Sequence, residues 1–401
     1  MASKAPNMRD VARTTVRLGL EVLLEERRDL VAGRRVGLVT CATGVDRALV
    51  STVERLRQAS AVELTALFGP EHGLRGDAQD AVEIGTSTDA LTGLPVYSLY
   101  GETYQPTPDM LRDVDVLIYD MQDGGVRFYT YIATLSHVMQ AAARAGLPVL
   151  VLDRPAPLNG VTVEGPVLDP AYTSFVGPHP IPLRYGMTVG ELARLFNDAF
   201  GIGCDLTVVP MAGWQRAMWY DETGLPFVPP SPNLPTLAAL TVYPGACLIE
   251  GTNLSEGRGT TKPFEYLGAP WIDADALAGA LNDLALPGVR FRPVYFTPTF
   301  SKHQGARCKG VHVYVTDRDR FRPIETVLHL ITAVKSMHPD AFAWLEPVRP
   351  GGHHFIDLLT GSDAVRTRLD AGAAIDEIVE GWQAGLRAFA PLRAAALIYP
   401  D

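Results

Sequence analysis

The chain has 401 residues, 47% hydrophobic and 20% charged, with a formal net charge of -10. That length suggests two domains able to bury a substantial core. The acidic balance argues against a nucleic-acid partner, because phosphate binding wants a basic face, and no run approaches the roughly 18 apolar residues of a membrane span.

In chain order, the first 33 residues contain no uninterrupted apolar segment followed by a small-residue cleavage site. Arg13, Arg17, Glu21, Glu25 and Glu26 recur at helical spacing, which predicts an amphipathic helix and not a signal peptide. Next come five short apolar runs: "RRVGLVT" (34–40), "VELTALF" (62–68), "LPVYSLY" (94–100), "VDVLIYD" (114–120) and "LPVLVLD" (147–153). They are rich in Val, Leu and Ile with little polar alternation, as in parallel strands buried on both faces. Helical segments at 46–58 and 130–145 lie between them, so the expected fold is α/β with a mostly parallel, doubly wound sheet. Proline-rich chain follows around 155–190 and 205–235, broken by a helix at 187–200 with Thr188 and Glu191 as a capping box. A domain boundary is expected near 235, giving units 1–235 and 236–401. The second unit is smaller and α/β or α+β, with helices at 273–284, 323–337, 361–370 and 375–389 and extended runs near 289–297 and 310–316. Cys41, Cys204, Cys247 and Cys308 lack CxxC spacing, which suits free thiols in a reducing compartment, with the cytoplasm as the expected location.

Each predicted strand of the first unit ends in a polar stretch: "CATGVD", "GPEHGLRGD", "GETYQP", "DMQDGGVRFYTY" and "DRPAPLNG". Ligands of open parallel sheets bind at the carboxyl ends of the strands. That rule puts Asp46, Glu71, His72, Arg75, Asp120, Gln122, Asp123, Arg127, Tyr129, Asp153 and Arg154 along one edge. Taken singly, Asp120 and Asp153 are as readily caps, and Arg127 and Arg154 as readily their partners. A second polar concentration is "PSPNLPT" (230–236) with "IEGTNLSEGRGTTKPFE" (249–265), carrying Ser231, Asn233, Glu250, Thr252, Asn253, Glu256 and Arg258. Such chain is exposed or built around a ligand.

The motif inventory is mainly one of exclusions. No G-x-G-x-x-G follows a strand, "GRGTTK" lacks the ending of a phosphate loop, and there is no G-x-S-x-G elbow or HExxH. The adjacent His353 and His354 are poorly spaced for one metal ion, and neither a metal nor a cofactor is expected. Carboxylates beside hydroxyls, amides and arginines suit a polyhydroxylated substrate and carboxyl acid/base chemistry.

Several long motifs occur in one order: "ALFGPEHGLRGD", "DVLIYDMQDGGVRFYTYI", "VLDRPAPLNG", "PLRYGMTVGELA", "SPNLPT" and "YPGACLIEGTNLSEGRGTTKPFE". By these the chain resembles the NamZ-like exo-β-N-acetylmuramidase family from about residue 30 onward. The resemblance implies a Rossmann-like N-terminal domain, a smaller C-terminal domain and a cleft between them. It also implies release of N-acetylmuramic acid from non-reducing ends of peptidoglycan fragments, so the expected partner is a muramyl glycan or muropeptide. Glu71, in the PEHG motif, matches the family's suspected catalytic residue. Cys41 and Ala42 stand where the family usually has two amides, and Tyr185 where it usually has a histidine.

Glycosidic cleavage normally uses two carboxyl groups. Glu71 is expected as the general acid, with Glu250, Glu256, Asp120 and Asp123 open for the second role. The substrate's own acetamide could also act as nucleophile, steadied by an acid such as Asp120. Arg258 and Arg75 are the natural partners for the lactyl carboxylate. His72, Gln122, Asp123, Arg127, Tyr129, Asp153, Arg154, Ser231, Asn233, Thr252 and Asn253 complete the expected substrate-binding set. Two other readings stay open: a fragment-binding protein without catalysis, and a phosphate or nucleotide-sugar enzyme using "GRGTT".

Overall fold

A computed structural model describes residues 16–76 and 85–400. The strands are β1 (Arg35–Thr40), β2 (Glu63–Gly69), β3 (Ser87–Thr88), β4 (Pro95–Ser98), β5 (Val116–Asp120), β6 (Val149–Leu152), β7 (Glu164–Val167), β8 (Pro182–Arg184), β9 (Leu206–Val209), β10 (Tyr266–Ala269), β11 (Val289–Phe296) and β12 (Cys308–Val315). The helices that matter for the site are α1 (Gly19–Glu26), α2 (Thr52–Gln58), α3 (Tyr131–Ala145), α4 (Val189–Asp198), α5 (Leu237–Ala246), α6 (Ala274–Asp283), α7 (Pro323–Met337) and α8 (Phe355–Thr360).

Seven strands form one sheet in the order β3-β4-β2-β1-β5-β6-β9. Every pairing is parallel except that of β3 at the edge. Period-two alternation explains the winding. Val36, Leu38, Val116, Ile118, Leu150 and Leu152 point to one core, shared with Leu20 and Leu23 of α1. Val39, Leu117, Tyr119, Val149 and Val151 point to the other, shared with Ile132, Leu135 and Val138 of α3. Both faces being covered, the strands read as continuous apolar runs. This is the expected doubly wound α/β arrangement. β9 (Leu206–Val209) is an addition, inside chain expected to be irregular.

The predicted elements differ mainly at their ends. The helix expected at 46–58 begins only at Thr52, because Asp46 Oδ1 accepts from the amides of Ala48 and Val50 and Leu49 adopts a φ of 62°. Of the N-terminal helix, α1 is the described part, Arg17 bridging to Glu25 and Glu26; Arg13 lies outside the described residues. α4 has the expected capping box of Thr188 and Glu191. α3 stops at Gly146, whose φ of 66° lets its amide reach back to the carbonyls of Ala142 and Ala143.

The smaller unit is a three-stranded antiparallel sheet, β10-β12-β11. Along β11, buried Val289 and Phe291 alternate with exposed Arg290 and Arg292, so one face is packed and the other wet. α5 precedes this sheet in sequence and packs against α7. The chain then returns to the first unit. The helix Gln383–Ala396 packs on α4 and β7, and Tyr399 donates to Asp153 at the end of β6 (2.5 Å). Among the described residues, no helix is long and apolar enough to cross a membrane.

Candidate active site

β2 ends at Gly69, and Pro70–Gly73 turns sharply, the Gly73 amide bonding the Pro70 carbonyl (2.9 Å). Within that turn His72 has a φ of 70°, a conformation uncommon outside glycine. The turn presents Glu71 at the sheet's carboxyl edge. Thr130, at the start of α3, donates its hydroxyl to Glu71 Oε2 (2.7 Å) instead of capping the helix. Glu71 thus has its rotamer fixed by a rigid element rather than by a loop.

The opposite wall comes from the second unit. Ser255 pairs with Gly268 of β10 through two backbone hydrogen bonds (2.7 and 3.0 Å), which docks the "SEGRG" loop onto the sheet edge. Gly257 and Gly259 have φ of 79° and 75°, and a Cβ on them would lie 2.6 Å from the Tyr266 carbonyl and 2.7 Å from the Phe300 amide. Only glycine fits both positions. The docked loop aims Arg258 at Glu250 (2.7 Å), with its Nε 3.3 Å from Glu256. Arg258 also lies over the Phe264 ring, 5.0 Å from its centroid. Phe264 itself is buried at a φ of 62°, and it packs edge-on against Tyr243. Strained, bulky residues of this sort concentrate at functional sites. Lys302 completes the wall, with Nζ 2.8 Å from Glu256 and 3.0 Å from the carbonyls of Ile249 and Thr252.

Between the two walls lies a cleft of about 290 Å³ that Glu71, His72, Tyr129, Ser231, Glu250 and Arg258 all help to line. Tyr129 is anchored through its hydroxyl to the Pro230 carbonyl (2.7 Å). Burial pushes the Glu250 carboxyl up from its ordinary range, and the Arg258 charge opposes that rise. Glu256 is buried just beneath, between Arg258 and Lys302.

The other expected site residues do not line this cleft. Asp120 is fully buried, and Arg154 bonds both its oxygens (2.5 and 2.9 Å) while Thr52 donates to it as well. Arg154, Asp46 and Gln122 line a void of only about 10 Å³, no larger than one water. The crevice between β1 and β5, where a doubly wound sheet reverses its strand order and usually takes a ligand, is therefore filled by an ion pair.

Asp123 is buried against the Tyr185 hydroxyl, and burial raises its pKa to about 6. Asp153 is held by Thr188, Gly190 and Tyr399, and burial raises it to about 7. Gln122 donates to the Pro155 carbonyl (2.9 Å). Arg127 is fully buried and donates to the carbonyls of Pro166, Ile181 and Leu359 (2.8 Å each), pinning α8 to the first unit. Burial lowers its pKa to about 9. Thr252 bonds the Ile249 carbonyl, and Asn253 bonds Ala341 and Ala343, so both stitch the loop in place. Asn233 is buried close to Ser231. Arg75 pairs with Asp89 beside a different cavity, which Cys41 and Ala42 also line.

Sequence reasoning passed over Thr130, Lys302, Phe264 and Tyr243. No local signal marks the first two, since each is a single polar residue brought in by the fold. His353 packs at a tilt against Tyr172 with centroids 4.2 Å apart, and His354 bonds the Leu345 carbonyl. Among the described residues, no group of three or more His, Cys, Asp or Glu is placed to hold a metal ion.

Fold and site together define an α/β protein with a carboxylate-lined cleft between a large parallel sheet and a smaller antiparallel unit. The sequence profile described as "Exo-beta-N-acetylmuramidase NamZ, N-terminal" matches residues 36–238, and its C-terminal counterpart matches 241–399. The chain is 49% identical to the peptidoglycan beta-N-acetylmuramidase NamZ of Bacillus subtilis (strain 168), over 99% of this chain and 95% of that protein. Among solved structures, a DUF1343 family protein of Bacteroides fragilis NCTC 9343 superposes with a TM-score of 0.89 at 39% identity, covering 96% of this chain and 99% of that one. A second from the same organism gives 0.77 at 31%, over 97% and 100%. The chain belongs to the NamZ exo-β-N-acetylmuramidase family.

Proposed function

We propose that this protein is an exo-acting glycoside hydrolase that releases N-acetylmuramic acid from the non-reducing ends of peptidoglycan fragments. The observation that carries the reading is that Glu71, from the parallel sheet, and the Glu250–Arg258 pair, from the second unit, line one cleft. In this reading Glu71 is the general acid that protonates the glycosidic oxygen as the C1–O bond breaks. Thr130 holds the carboxyl in register. Glu250 is the second carboxyl group, beside the ring as positive charge develops there. Arg258 receives the lactyl carboxylate, the feature that separates muramic acid from glucosamine. Glu256 and Lys302 keep Arg258 oriented when the anionic substrate enters. Four buried free thiols support a reducing compartment.

The test is to incubate purified protein with the MurNAc-β-1,4-GlcNAc disaccharide and with its GlcNAc-GlcNAc counterpart. Free N-acetylmuramic acid is expected from the first and no sugar from the second. Equal turnover of both would remove Arg258 from its role, and no release from either would end the hydrolase reading.

A further inference from the structure

The cleft has an aromatic mouth that the acid/base chemistry does not use. Tyr100 and Phe175 line it, their rings 5.8 Å apart. Tyr104 sits beyond them, 4.7 Å from Phe175 and edge-on to Tyr100 at 5.5 Å, and remains 42% exposed. Behind the group, His137 of α3 lies 5.9 Å from Phe175 and its ring nitrogen bonds the Tyr104 carbonyl (3.1 Å). Thus α3, whose first turn fixes Glu71 through Thr130, also sets the position of Tyr104.

Phe175 is held at the tip of a short turn. Ser174 and Gly177 exchange two backbone hydrogen bonds of 3.0 Å each, which leaves Phe175 and Val176 as the two residues at the tip of a tight turn. The turn sets Val176 against the main hydrophobic core and Phe175 among the rings of Tyr100, Tyr104 and His137. Both residues line the cleft.

We propose that Phe175, Tyr104 and Tyr100 form the platform on which the leaving-group sugar stacks, so that they, and not the acids, set the preference for a saccharide aglycone. This rests on the hydrolase reading above. A pyranose ring has an apolar face of axial C–H groups, which packs on aromatic rings and shields them from water. An exo-acting enzyme holds the terminal sugar in the enclosed part of its cleft and the departing sugar at its open end. The aromatic group is continuous with the cleft and exposed on its outer side, as an open-ended subsite requires.

The experiment compares kcat/KM for the MurNAc-GlcNAc disaccharide with that for methyl β-N-acetylmuramide, which has no second ring. Tyr104→Ala and Phe175→Ala are each expected to lower the disaccharide-to-methyl ratio about three- to tenfold, mainly through KM, with Phe175→Tyr restoring it. An unchanged ratio, or one carried wholly by kcat, would overturn the platform. A second arm uses saturation-transfer NMR with Glu71→Gln protein and uncleaved disaccharide, and it does not depend on turnover. Saturation is expected on one face of the GlcNAc ring and is expected to fall when Tyr104→Ala is added. Saturation confined to the MurNAc ring would overturn the proposal. Failure of the wild-type protein to cleave either substrate would instead count against the hydrolase reading.

Discussion

Two regions of the molecule hold its informative carboxylates, and they treat them in opposite ways. At the ends of β5 and β6, Asp120, Asp123 and Asp153 are buried with 0–2% exposure, each tied to protein partners. In the cleft, Glu71 and Glu250 border open volume, with Thr130 bonded to the first and Arg258 to the second. Of the first set, Asp120 with Arg154 fills the crevice where such a sheet usually binds a ligand, whereas the second set borders a cleft beside it. Carboxylates are therefore disposed in two ways here: one set is enclosed by the architecture, and the other borders open volume.

The sharpest way to break this comparison is to disable one acid of each kind. Glu71→Gln is expected to lower kcat on the MurNAc-GlcNAc disaccharide roughly a hundred- to ten-thousandfold, the usual range for a positioned general acid. Its urea midpoint should stay near that of the wild type. Turnover within a few fold of wild type would remove Glu71 from the mechanism.

The next largest effect belongs to the buried set. Arg154→Met leaves the Asp120 carboxylate buried without its ion-pair partner, and removing one member of such a pair costs about 3–5 kcal/mol. Chemical denaturation should show that loss, while the activity of the fraction that remains folded changes little. A variant with wild-type stability and lost activity would move Asp120 and Arg154 from architecture to catalysis.

The same contrast explains how much could be read from the sequence. The inner strands were legible because burial on both faces writes them as unbroken apolar runs, and α4 because Thr188 and Glu191 form a capping box. β9 was not, because four residues, Leu206–Val209, give too short a run amid prolines. At the site, the polar stretches around Glu71 and around Glu250–Arg258 stood out, and the fold does bring them together. Asp120, Asp153 and Arg154 stood out equally. A polar residue ending an apolar strand looks the same in sequence whether it meets substrate or a partner 34 residues away, as Asp120 meets Arg154. Thr130 and Lys302 are informative only through the distances the fold creates.

A smaller effect distinguishes the buried set by pH. Burial raises Asp153 to about 7, although Tyr399, Gly190 and Thr188 all favour its anion. In the unfolded chain an aspartate titrates near 3.9. The native state therefore keeps a proton that the unfolded chain has released, and the stability this contributes is complete below about pH 4 and lost as pH rises through about 7. Asp123, at about 6, and Glu164, at about 7, have the same sign. Asp153→Asn cannot release that proton, so its urea midpoint should fall less than the wild type's between pH 5 and pH 7.5. Parallel slopes would mean that Asp153 is ionised in the native protein.

The smallest expected effect falls on Arg75, which lies close in sequence to Glu71 yet turns to Asp89 and another cavity. Its side chain is 58% exposed, so solvent screens the pair and the stability at stake is about 1 kcal/mol or less. If Arg258 alone receives the lactyl carboxylate, Arg75→Ala should change kcat/KM by less than about threefold, whereas Arg258→Ala should lose a charge-assisted contact of about 1.5–3 kcal/mol, roughly ten- to a hundredfold. Measuring both variants on MurNAc and GlcNAc glycosides separates the two cations, because only the one that meets the lactyl group should erase the preference for muramic acid. A larger loss at Arg75 would extend the substrate into the cavity lined by Cys41 and Ala42.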